Sequence, residues 1–155
     1  MASRRKARIL AFQALYSWEV HRSQKNASIP EGLLDFSWAD STVPLDEEMT
    51  SFSRLLITGT IENIAVVDSM ISKHLENWDL KRLNRVDLAV LRMSVYALMF
   101  QTDMPHSIVI DEAIDISKEF GTDDSYRFVN GVLDSIRKTL ALGDEPAKID
   151  PVAVK

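Results

Sequence analysis

Arg4, Arg5, Lys6 and Arg8 put four cations into five consecutive positions of a 155-residue chain whose formal net charge is −5. Guanidinium groups offer forked N–H donors to phosphate and flat faces to unstacked bases, so the chemistry of such a cluster is the docking of a polyanion. The imbalance is local, since residues 1–25 carry +5 and the remainder −10. A basic end on an acidic body orients an encounter with a polyanion and discourages nonspecific coating elsewhere. The plainer reading is a solvated helix start. Cations at a helix N-terminus oppose the helix dipole by about 0.3–1 kcal/mol each, however, which favours a binding role.

Other chemistry is sparsely represented. Asp111, Glu112, Asp115 and Glu119 form a carboxylate-rich stretch, but without a Glu-x-x-His partner it does not read as a di-iron site. Asp111 and Asp115 suit the start of a helix, and the group reads as a solvated face. His21, His74 and His106 are isolated in sequence, and no phosphate-binding glycine loop or metalloprotease His pair is present. The absence of cysteine excludes disulfides and thiolate metal sites. No metal, cofactor or catalytic residue is expected. The apolar run Leu88–Phe100 is too short for a bilayer and contains Arg92, while Arg8 and Gln13 interrupt any signal-peptide pattern near the start. The expectation is a cytoplasmic protein with no membrane partner.

The elements that must position the cluster are helices. With about 100° between successive residues, Ala7, Leu10, Ala11, Ala14, Leu15 and Trp18 share one face of the first helix, and Ile9, Phe12 and Tyr16 form a second stripe. Arg4, Arg5 and Arg8 fall between the stripes and are expected to project together into solvent. Residues 23–44 form the longest connection, with Leu33, Leu34, Phe36 and Trp38 packing back on the body. Asp46, Glu47 and Glu48 suit a helix start. Gly59 followed by Thr60 reads as a stop and a new cap. Asn84 with Asp87 predicts a capped start for a central helix, and Thr122 a cap for the last one. The fold class is all-α, a single compact domain over 1–142. Residues 143–155 read as a loose tail.

Three blocks are more specific than helical periodicity. "RRKARILAFQALYSWE", "VLRMSVYALMF" followed by "IVIDEAIDISKEFG", and "DDSYRFVNGVLDSI" together resemble the transcription antitermination factor NusB family, in order and spacing, over about residues 3–142. The resemblance implies two packed helical subdomains of three to four helices each, at about 1–78 and 79–142, without catalytic activity. It also implies binding of single-stranded boxA-type leader RNA of ribosomal RNA operons, jointly with the small-subunit ribosomal protein NusE. The setting would be an antitermination complex with RNA polymerase and other Nus factors.

On that resemblance the RNA-binding positions are Arg4, Arg5, Lys6, Arg8, Gln13, Asp124, Arg127 and Phe128. Arg127 would be a phosphate contact and Phe128 a stacking platform, although periodicity alone equally places Phe128 in the core. Asp124 matches an affinity-limiting position, so Asp124→Asn is expected to strengthen RNA binding. Asp87 matches an acidic position facing the ribosomal protein, and Glu76 and Asp79 extend that patch. A basic ribosomal protein suits an acidic body. Some relatives form homodimers, an arrangement the sequence leaves open. Alternatives are an accessory RNA-binding domain of the kind fused to ribosomal RNA cytosine methyltransferases, whose catalytic cysteine this chain lacks, and a helical scaffold that binds protein only.

Overall fold

The computed structural model describes residues 2–24, 32–39, 45–76 and 79–142. Within the described residues six α-helices carry the fold: α1 Ala2–Gln24, α2 Glu47–Glu62, α3 Ile64–Lys73, α4 Arg85–Phe100, α5 His106–Phe120 and α6 Ser125–Ala141, with one 3-10 turn at Leu80–Arg82. The described residues contain no strand. The expected tail 143–155 and parts of the 23–44 connection lie outside the described residues. So does the Asn77–Trp78 boundary between the two expected halves.

α4 is the centre, as its two apolar stripes predict, Val86, Ala89, Val90, Met93, Ala97 and Phe100 on one face and Leu88, Leu91, Val95 and Leu98 on another. Every residue from Asp87 to Leu98 is buried, and α4 touches all five other helices. A helix apolar on all sides is stable only when covered on all sides. Its start is built locally: Asn84 Oδ1 accepts from the Asp87 N–H at 2.8 Å, and the Asn84 side-chain amide donates back to Asp87 Oδ2 at 3.1 Å. α2 starts similarly, with Asp46 Oδ1 accepting from the Met49 N–H at 2.8 Å.

Three local expectations differ from the structure. Gly59 is not a helix stop, because α2 runs through it to Glu62. The break falls at Asn63, where α2 and α3 diverge by 75° and the Asn63 side-chain amide donates to the Gly59 carbonyl at 2.8 Å. Glycine is needed at 59 because a Cβ there would run into the Tyr96 ring of α4. Thr122 is not the cap of α6 either; its backbone N–H donates to Ser125 Oγ at 2.9 Å, and Asp124 stands at the cap position without a capping side-chain bond. Tyr16, assigned to a buried stripe, is exposed.

The described part of the connection packs back through Leu33, Leu34 and Phe36, while Trp38 stays exposed. Leu33 and Phe36 are buried, and Trp38 Nε1 donates to the Leu33 carbonyl at 3.1 Å. Arg54 of α2 fixes this turn by donating to the Leu34 carbonyl at 3.0 Å, with its guanidinium 5.5 Å from the Phe36 ring. That packing holds Phe36 at φ 60, a left-handed conformation that costs a non-glycine residue roughly 1–2 kcal/mol. Among the described residues no single helix is long and apolar enough to cross a membrane.

Candidate nucleic-acid interface

The basic start of α1 lies against α2 and α5 instead of standing free. Arg5 Nε and Nη2 donate to the two Glu112 carboxylate oxygens at 3.2 Å each, and Nη2 also donates to Asp115 Oδ2 at 2.6 Å. The hydrogen bonds to Glu112 and then Asp115 hold the Arg5 pKa above its usual value. Arg8 is only 7% exposed. Its Nη2 donates to Met104 Sδ at 3.7 Å, and its Nη1 lies 3.9 Å from Glu112. Burial lowers the Arg8 pKa; Glu112 opposes the shift, and the charges of Arg4 and Arg5 add to it. Arg4 covers the Phe52 ring at 4.1 Å, with Arg8 5.3 Å from the same ring.

The expectation that these guanidiniums project together into solvent is therefore corrected. The sector between the apolar stripes of α1 faces an acidic row on α5, so Arg5 is paired and Arg8 is enclosed. Lys6 remains exposed. With half-buried Gln13 it borders a hollow of about 340 Å³ whose walls include Leu10, Met49 and Phe120, and Glu119 stands on the same rim.

The start of α6 forms a second group. Arg127 is 70% exposed along its side chain and pairs with Asp124 at 3.4 Å, an exposed contact worth about 0–1 kcal/mol. The Tyr126 ring lies between two cations, Lys118 Nζ at 5.0 Å and the Arg127 guanidinium at 5.2 Å. Phe128 is half-buried and forms a wall shared by two hollows. One, of about 370 Å³, also has Arg82, Asp87, Asp124 and Ser125 in its lining. The other, of about 390 Å³, has His74, Glu76, Arg127 and Gly131. Phe128 thus packs partly against the core and partly borders open hollows.

Asp87 is 6% exposed. One carboxylate oxygen is bonded to Asn84, while Oδ1 has no hydrogen bond among the described residues, Ser125 standing nearby without one of good geometry. Burial pushes the carboxyl pKa up, against the pull of Ser125 and Asn84. Asp79 is exposed and closes the 3-10 turn, accepting from the Arg82 N–H at 3.2 Å. Glu76 is exposed beside His74. The structure thus brings Asp87, Asp124 and Phe128 to one hollow, and Glu76, Arg127 and Phe128 to the next.

Sequence reasoning misses Glu112 and Asp115 as partners of α1, because it reads them as a solvated face. Their three-residue spacing matches that of Arg5 and Arg8, so two ladders of opposite charge are visible in the chain; their alignment is not.

The fold and these open, charged hollows define a class of all-helical binding protein. A family model described as the NusB family matches residues 5–138, and the chain belongs to the NusB family. Transcription antitermination protein NusB of Treponema pallidum (strain Nichols) is 51% identical over 137 residues, spanning 88% of this chain and 93% of the relative. NusB of T. maritima superposes with a TM-score of 0.74 at 40% identity, over 87% of this chain and 90% of that one. A structure of the antitermination factors NusB and NusE in complex with double-stranded RNA gives a TM-score of 0.74 at 27% identity, over 90% and 98%.

Proposed function

We propose that this protein is a non-catalytic, cytoplasmic transcription antitermination factor that binds single-stranded boxA-type leader RNA together with ribosomal protein NusE. It would act within the antitermination complex of RNA polymerase and other Nus factors. Lys6 and Arg127 are the exposed cations for phosphate, with Arg4 and Gln13 beside the first and Phe128 as the stacking wall beside the second. Arg8 supports the surface from below. Asp87, with Asp79 on the preceding 3-10 turn and Glu76 on the neighbouring hollow, receives a basic group of the partner.

The observation that carries this reading is the single hollow lined by Asp87, Asp124 and Phe128. Residues that the resemblance assigns to RNA and to the partner line it together, so each ligand would form part of the other's binding surface. The test is a fluorescence-anisotropy titration of labelled boxA-like single-stranded RNA, with and without NusE, over a salt series. The expected result is tighter binding with NusE, an affinity that falls as salt rises, and a shallower salt slope for Lys6→Ala and Arg127→Ala. A duplex of the same sequence should bind more weakly. RNA affinity indifferent to NusE and to both substitutions would instead favour a scaffold that binds protein only.

A further inference from the structure

Glu112 and Asp115 occupy the edge of Arg5 that a phosphate would need. Of the five guanidinium N–H donors, the one on Nε and those on Nη2 point to these two carboxylates, and the Nε–Nη2 edge is one of the forks that suits bidentate phosphate recognition. A phosphate approaching the folded protein meets the Nη1 side of Arg5 and, behind it, two negative charges. The clamp is not deep. The side chains of Arg5 and Asp115 are 42% and 44% exposed, so water and salt weaken it and a competing anion can reach it.

We propose that Glu112 and Asp115 are affinity-limiting residues of the RNA surface: they hold Arg5 as stand-ins for phosphate, and RNA must displace them to gain the Arg5 contact. This rests on the RNA-binding reading above. Asp115 is the cleaner handle. Glu112 also neighbours the enclosed Arg8 at 3.9 Å, and removing its charge would leave that buried cation with less compensation. Asp111, exposed on the same helix and with no contact to Arg5, serves as a control of equal charge change.

The experiment titrates labelled boxA-like single-stranded RNA, in the presence of NusE, against the wild type, Asp115→Asn and Asp111→Asn. Each substitution is measured both with Arg5 and with Arg5→Ala. Asp115→Asn is expected to tighten binding by about two- to fivefold, the size of one exposed ion pair, and to do so more than Asp111→Asn. The extra gain should vanish when Arg5 is Ala, since the cycle isolates the pairwise coupling. Unchanged or weaker binding by Asp115→Asn would show that the carboxylate orients Arg5 for RNA and would overturn the proposal. An equal gain in the Arg5→Ala background would overturn it as well, assigning the effect to net charge. No RNA binding by the wild type, NusE being present, would overturn the RNA reading and this inference together.

Discussion

Arg92 grips Asp68 with two parallel hydrogen bonds of 2.9 Å, from Nε and Nη2 to the two carboxylate oxygens. Its Nη1 donates to Glu19 at 2.7 Å, so one cation of α4 fastens α1 and α3 to the central helix. Burial opposes the charge on Arg92, whose side chain is 5% exposed, but Asp68 and Glu19 outweigh it and raise its pKa. Asp68→Ala should therefore destabilise the protein by about 3–5 kcal/mol, because it strands a buried charge. Urea unfolding at neutral pH checks this. A loss under about 1 kcal/mol, the size of an exposed pair, would mean that Glu19 alone satisfies the guanidinium.

Gly59 of α2 lies against the Tyr96 ring of α4, which leaves no room for a Cβ. Gly59→Ala would gain helix propensity elsewhere, yet here the methyl group collides with the Tyr96 ring, and about 1–3 kcal/mol of destabilisation is expected. Trimming the ring in a Tyr96→Val background should remove the penalty specific to Gly59→Ala. Thermal melts of the four proteins decide it, and additive effects would refute the contact.

Asp87 holds its proton to higher pH in the folded protein than in the unfolded chain, because burial is the main influence on it. Below the ordinary carboxyl pKa of 3.8 both states are protonated and the group costs nothing. As pH rises from there through the raised folded pKa, the unfolded chain ionises first and stability is lost. Asp87→Asn should then melt higher than the wild type at neutral pH, with the difference closing as pH falls below 3.8. The same substitution should weaken binding of NusE, measured by calorimetry. A variant that is less stable at neutral pH would contradict the buried-charge account.

Asp124 is 87% exposed along its side chain, which makes no capping bond and, among the described residues, pairs with Arg127. Asp124→Asn should leave stability within about 0.5 kcal/mol of the wild type, read from thermal melts. On the proposed RNA reading it should tighten boxA-like RNA binding several-fold, by removing a negative charge beside Arg127 and releasing that cation. Equal or weaker RNA affinity in the same titration would count against the assignment of this hollow to RNA.

The helices themselves were legible in the sequence because their causes lie within a few residues. The Asn84–Asp87 cap, the Asp46 start of α2 and the double stripe that buries Asp87–Leu98 all follow from short-range spacing along one helix. The motif blocks likewise sufficed for the family, since order and spacing are properties of the chain.

What only the tertiary structure decided is which faces meet. Gly59 reads as a stop until Tyr96, 37 positions later, is placed against it. Arg5 and Arg8 read as a free cationic patch until α5 brings Glu112 and Asp115 across a separation of more than 100 residues. Periodicity fixes the direction of a side chain relative to its own helix axis, but its charge state, exposure and availability to a ligand depend on the neighbouring helix that fills that direction.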